Sequence, residues 1–337
     1  MAETAGRGAT YRGGMLVGSS SDTDLVVRAA WHYYADGLTQ TQIAKRLFVS
    51  RQTVGRLVEA ARQMGIVRIE LDAGHLSSFQ LSTRLRERFG LADAIVTPGL
   101  ACDPGKVNER VAAALAAYVR RYLHPGVVVG VGWGDTVARA LSMLSDESLD
   151  GVLLASAAGS IQAINESLAG NPVVASRLRV VPAPLVVSSA PVAAALRQEQ
   201  PVREVLELAA SAQLTITGIG SAHPETASAV RRGVVSPSEV ASFVSRGAVG
   251  DMLGEWFDAR GAIVASATSD RRIGLPLEQV RDMPNVVGVA GGPDKVEAIR
   301  GALEGRYIKV LVTDEPTAQA LLDGMSLGRA RGQRGAE

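Results

Sequence analysis

Apolar positions recur every three to four residues from Asp22 onward. Leu25, Val26, Ala29, Ala30 and Tyr33 fall on one side of a helix that Ser21 or Asp22 can cap and Gly37 ends. Thr39 is placed to cap a short second helix, Gln40–Leu47, with Ile43, Ala44 and Leu47 inward. Phe48-Val49 then makes a tight turn. Ser50 caps a third helix, Arg51 to about Met64, whose inward stripe is Val54, Leu57, Val58 and Ala61. Gly65 ends it, and Ile66–Leu71 alternates as a strand does. Helix, short helix, turn, helix and strand predict a winged helix-turn-helix over residues 21–72, in which the second helix braces a third that enters the DNA major groove. Residues 1–20, rich in Gly, Ser, Thr and Ala, and residues 331–337 read as disordered tails.

The pattern changes after residue 72. His75–Phe89 is amphipathic, with Leu76, Phe79, Leu81, Leu85 and Phe89 apolar and Arg84, Arg86, Glu87 and Arg88 solvated. Uniformly apolar runs then alternate with helical stretches. The strand candidates are Ala94–Val96, Val127–Val131, Val152–Ala155, Val180–Ala183, Leu214–Thr217, Ala262–Ala265, Val286–Val289 and Ile308–Val312. The helix candidates are Lys106–Leu123, Thr136–Leu144, Ala163–Leu168, Val192–Glu199, Pro201–Ala210, Lys295–Leu303 and Glu315–Leu322. Strands apolar on both faces, interleaved with helices, predict a mostly parallel, doubly wound α/β domain over 73–330.

Composition supports an ordinary globular chain, 47% apolar and 20% charged over 337 residues. The single cysteine, Cys102, rules out an intrachain disulfide or a CxxC metal site and suits a reducing cytoplasm. No apolar run reaches the length of a membrane span, and the start MAETAGRGATYRGG lacks the core of a signal peptide. The net charge of +1 conceals an asymmetry. Six cations between Thr41 and Arg68 (Lys45, Arg46, Arg51, Arg56, Arg62, Arg68) face one anion, Glu59, giving a local +5 and leaving −4 elsewhere. A basic module on a mildly acidic body attracts a polyanion locally.

Two sets of residues carry candidate chemistry. Ser50, Arg51, Gln52, Thr53 and Arg56, early on the third helix, offer hydroxyl, amide and guanidinium groups to phosphates and base edges. Thr39 and Gln40 sit at a helix N-terminus that favours a phosphate, and Lys45 and Arg46 are placed to anchor one. In the larger domain, glycine-rich turns fall after strands, where α/β sheets gather ligands. They are Gly130-Val-Gly132-Trp-Gly134-Asp135-Thr136, Gly159-Ser160, Gly218-Ile-Gly220-Ser221 and Val289-Ala-Gly-Gly-Pro-Asp-Lys295. The amides of Gly132 and Gly134, the Thr136 hydroxyl and the Lys295 ammonium suit a phosphate or a polyol. Asp251, in Gly247-Ala-Val-Gly-Asp251, is typed to accept from sugar hydroxyls.

The segment GLTQTQIAKRLFVSRQTVGRLVEAARQMGIVRI resembles the DNA-binding domain of SorC/DeoR-type sugar-responsive regulators. GVGWGDT, PAPLVV, GIGS, GAVGDMLGEWFDARG, GVAGGPDKVEAIRGAL and YIKVLVTDEPTAQALL resemble the C-terminal half of that family, in its order. The resemblance covers roughly residues 22–325. It implies a sugar-phosphate-isomerase-like sensor that binds a sugar or sugar phosphate, alters affinity for double-stranded operator DNA and assembles as a dimer or tetramer. It also implies that Thr136, Asp251 and Lys295 touch the effector. Two departures stand out. Phe48 occupies a turn position where the family often has Gly. Ala155-Ser-Ala-Ala-Gly-Ser160 lacks the cation found there in some members, so an imine at that loop is excluded and at most one anionic group is expected on the ligand.

Two other readings compete. The sensor fold resembles sugar-phosphate isomerases and deaminases, for which Asp135, Asp251 or Glu255 would be the general base. None of the four histidines has a catalytic spacing, and no GxSxG, P-loop, HExxH or metal cluster appears. A nucleotide-cofactor redox sensor would need GxGxxG, but Gly134 comes one position early. The expectation is a cytoplasmic regulator without catalytic residues, metal or cofactor.

Overall fold

The computed structural model describes residues 20–67, 73–99, 106–161, 171–224, 227–266 and 268–324. Contacts divide the chain into two units, one ending at Leu71 and one beginning at Asp72.

The first unit has three helices, α1 (Ser20–Tyr34), α2 (Gln40–Leu47) and α3 (Arg51–Gln63). Val26, Ala29 and Ala30 of α1, Ile43 of α2, and Val54, Leu57, Val58 and Ala61 of α3 form its core. This is the inward stripe that the helical periodicity predicts. Thr39 caps α2 through a reciprocal pair with Gln42, whose side chain accepts the Thr39 amide at 2.9 Å. Ser50 accepts the Thr53 amide at 3.0 Å and so caps α3. Phe48 ends α2 in the left-handed region (φ 54°, ψ 40°) and is 95% exposed. The predicted strand Ile66–Leu71 and the N-terminal tail lie almost wholly outside the described residues, as does the predicted helix 163–168.

The second unit opens with α4 (Ala73–Phe89) and is built on a seven-stranded sheet. Its strands are β1 (Asp93–Thr97), β2 (Val128–Val131), β3 (Leu153–Ser160), β4 (Leu178–Pro184), β5 (Leu214–Gly218), β9 (Val286–Val289) and β10 (Val310–Asp314), in the order β1-β10-β9-β5-β2-β3-β4. Every pairing in it is parallel. β2, β5, β9 and β10 are buried along their length except Gly218, as a sheet covered on both faces requires. Helix α5 (Val107–Arg120) and α6 (Asp135–Ser142) flank β2 in sequence, and both bury their apolar stripes. The chain passes outward from β2 to β3 and β4 on one side and continues through β5 on the other. The order therefore reverses at β2/β5, where ligands bind in such sheets.

Two expectations are corrected. Gly159-Ser160 is not a turn after a strand; it is the end of β3, which continues past Ala155 because small residues let it lie against its neighbours. The amide of Gly159 donates to the Ile273 carbonyl at 2.9 Å. Ala262–Ala265 does not join the parallel sheet; it lies beside β8 (Glu255–Asp258), held by a single antiparallel bridge at Ile263. The sequence pattern also misses a second sheet. In it β7 (Ala248–Met252) pairs antiparallel with both β6 (Gly220–Ser221) and β8. Its strands have two, five and four residues, too short for an alternation signal.

Candidate functional site

The C-terminal ends of β2, β5 and β9, three adjacent strands, open into one cleft. Trp133, Gly134, Asp135 and Thr136 line it after β2, Gly218, Ile219 and Gly220 at and after the end of β5, and Val289, Ala290, Gly291 and Lys295 at and after the end of β9. Asn108, Ser228, Arg231 and Asp251 complete the wall. Gly134 precedes α6 with no side-chain cap, which leaves the amides of the first turn of that helix for a ligand.

Asp251 sits on β7, opposite Gly220 of β6, and is 2% exposed. A Cβ on Gly220 would overlap the Asp251 carboxylate, so glycine here is what admits the acid. Burial pushes the Asp251 carboxyl up to about 6, against the opposing pull of Lys295 and of the Gly254 amide, which donates to it at 3.3 Å. Burial lowers the Lys295 ammonium, and Asp251 partly restores it. Both groups line the cleft, and the charge of each opposes the shift that burial gives the other. Asp135 is held in an ion pair with Arg232. Counting Asp135, Arg231, Arg232, Asp251 and Lys295, the site carries one net positive charge while both carboxylates are ionised.

In the first unit, Gln40, Arg51, Gln52, Gly55, Arg56 and Glu59 line one open surface where α2 meets α3. Arg51, Gln52 and Arg56 are exposed, as are Lys45 and Arg46 on α2. The hydroxyls of Ser50 and Thr53 hydrogen bond to each other at 2.8 Å. Their first role is to shape the start of α3.

A family model described as "Putative sugar-binding domain" matches residues 75–323. A MarR family model matches residues 30–76. The transcriptional regulator LsrR of Enterobacter sp. (strain 638) is 37% identical over 305 residues, 90% of this chain and 94% of that protein. The chain belongs to the SorC/DeoR-type family of sugar-binding transcriptional regulators. LsrR of Escherichia coli (strain K12) matches at 37% identity over 304 residues, 89% of this chain and 95% of that protein. The crystal structure of the full-length sorbitol operon regulator SorC from Klebsiella pneumoniae superposes with a TM-score of 0.65 at 25% identity, covering 90% of this chain and 100% of that one. This SorC-family protein is a transcription regulator that joins a helix-turn-helix unit to a sugar-binding domain.

Within the SorC-family fold, Gly134, Asp135, Thr136, Gly218, Gly220, Asp251 and Lys295 come together in the cleft. Gly132, Gly159, Ser160 and Ser221 do not line it. The amide of Gly132 is committed to the Ile216 carbonyl at 2.7 Å, and the Ser160 hydroxyl donates to the Val181 carbonyl at 2.9 Å. Ser221 is buried, its hydroxyl without a hydrogen-bond partner among the described residues. Gly132, Gly159 and Ser160 line a smaller neighbouring depression instead, with Trp133 shared between the two. Sequence reasoning missed Asn108, Trp133, Ser228 and Arg231. Trp133 lay inside a motif read for its glycines, Asp135 and Thr136. Arg231 ends a four-residue helix, Ser228–Arg231, too short to show a period.

Proposed function

We propose that the protein binds double-stranded operator DNA through α3, braced by α2, and that a sugar or sugar phosphate with one anionic group controls this binding from the cleft. Residues 21–72 serve as the DNA-binding segment and 73–330 as the effector and assembly segment, acting in the cytoplasm. A palindromic operator requires at least a dimer, since paired helices must lie about 34 Å apart, one turn of DNA. One observation carries the effector reading: an uncapped helix start, the buried Asp251 carboxyl and Lys295 line one cleft at the sheet's switch point. The amides and Lys295 receive an anionic group, and Asp251 accepts from hydroxyls. Among the described residues no helix is long and apolar enough to cross a membrane.

The test is thermal shift of the full-length protein against sugars, polyols and sugar phosphates, with nicotinamide cofactors as controls. A ligand at 100 times its Kd stabilises by ~2.7 kcal/mol. A sugar or sugar-phosphate hit that Lys295→Ala removes supports the reading; a hit confined to nicotinamide cofactors overturns it. The raised carboxyl of Asp251 also has the form of a general base, which favours an isomerase as the second reading. Solvent deuterium entering a bound sugar phosphate would establish that activity.

A further inference from the structure

We propose that Glu315 is a positioning residue that couples the effector cleft to α4, the helix through which the chain continues to the DNA-binding unit. This rests on the effector reading of the cleft. The helix Glu315–Asp323 starts directly after β10, and its first two boundary residues hold different things. Asp314 holds the cleft loop. The Gly292 amide donates to Asp314 Oδ2 at 2.7 Å and to Thr317 Oγ1 at 2.9 Å, while Thr317 Oγ1 itself donates to Asp314 Oδ2 at 2.7 Å. A Cβ on Gly291 would lie 2.4 Å from Asp314 Oδ2, so the loop rests on that carboxylate with no room between. This loop carries Lys295 three residues later.

Glu315 holds the other side. It accepts from the Ser77 hydroxyl on α4, and its Oε2 accepts the Gly99 amide beyond β1 at 2.5 Å. A Cβ on Gly99 would lie 2.9 Å from Glu315 Oε2, so this contact too leaves no room for a side chain. The same short helix packs on α4, where Leu81 and Leu85 join one buried core with its Ala318 and Leu321. A movement of the Gly291-Gly292 loop that shifts Asp314 must therefore shift Glu315, the adjoining residue, and with it the anchor of Ser77. Only residues 68–72 separate α4 from the last described residue of the DNA-binding unit. Neither Glu315 nor Ser77 lines the cleft, so this role is separate from ligand contact.

Hydrogen–deuterium exchange of the full-length protein tests the relay without needing an effector. Gly291→Ala drives a methyl group against Asp314 and displaces the loop. In the wild-type background it should speed exchange of α4 amides 76–82 about five-fold, the loss of one net hydrogen bond of about 1 kcal/mol. In the Glu315→Ala background it should add nothing. Glu315→Gln should keep the coupling, because its carbonyl can accept from Gly99 while its amide donates to the Ser77 oxygen. Thr317→Val, which removes one of the two acceptors of the Gly292 amide, is the second perturbation should Gly291→Ala fail to fold. Equal effects on α4 with and without Glu315, or faster exchange of residues 290–295 with none in α4, would overturn the proposal. Additive exchange alongside a sugar-phosphate hit that Lys295→Ala removes would sink the relay and leave the effector site standing. Non-additive exchange with no sugar hit would do the reverse.

Discussion

Asp251 is a carboxyl group whose folded environment prefers it neutral. Its ordinary value is 3.8 and its folded value about 6, so between those two the folded state binds the extra proton. Stability from this residue is therefore present below pH ~4 and is lost as pH rises through about 6. Compared with Asp251→Asn, the wild type should lose Tm progressively over that window and hold a constant difference above it. A difference independent of pH would remove burial as the cause. Phe48 is another residue under local cost. A left-handed non-glycine residue costs ~1–2 kcal/mol, and its ring, 95% exposed, recovers no packing. Phe48→Gly should raise the stability of the first unit by a net ~0.5–1 kcal/mol in urea titrations, part of the gain being offset by glycine's freedom when unfolded. At this scale the sequence was legible where a residue's type announced its work. Asp251, Thr136 and Lys295 stood beside glycines and were typed for polar contacts. Arg231 and Asn108 reach the cleft from segments distant in sequence, and only tertiary packing brings them there.

The elements differ in how openly they were written. The three N-terminal helices were readable because the apolar positions of each fall on one buried stripe and two carry side-chain caps at Thr39 and Ser50. Ser50→Ala should cost the first unit about 1 kcal/mol, read from its urea midpoint, and should weaken DNA binding because α3 frays at the end that carries Arg51 and Gln52. The parallel strands were legible for a different reason: burial on both faces makes them uniformly apolar. The β6–β8 sheet was not, because Gly220-Ser221 is too short for a period and GAVGD reads as a loop motif. Its Asp251 was picked out by residue type, without the strand that pairs it with Gly220. Likewise LLASAAGS reads as strand then turn. The strand persists because its alanines and glycine need no room on either side.

Across the whole molecule, the proposed DNA-binding surface and the proposed effector cleft fall in separate units, which makes their effects separable. Arg56→Ala should weaken binding to a DNA duplex and lower the slope of log affinity against log salt by about 1 if it contacts a phosphate. The same variant should keep the thermal shift produced by the effector. Lys295→Ala should do the opposite, abolishing that shift with duplex affinity unchanged; loss of both functions in either variant would show that the units fail together.

The order of the large sheet has a consequence for how the chain is born. β1 is an edge strand whose one partner among the described residues is β10, with Asp93 opposite Val310. The ribosome must therefore make more than two hundred further residues after β1 before that strand can be paired, ~10–40 s at ~5–20 residues per second. All of the helix-turn-helix is made before β1 emerges. During that interval a nascent chain holds a finished DNA-binding unit tethered to an open, unpaired strand that is competent to pair with another chain. A message truncated just before Val310 should then yield a complete helix-turn-helix joined to a sheet that lacks β10, with β1 left as a persistent adhesive edge, a product that holds DNA and aggregates.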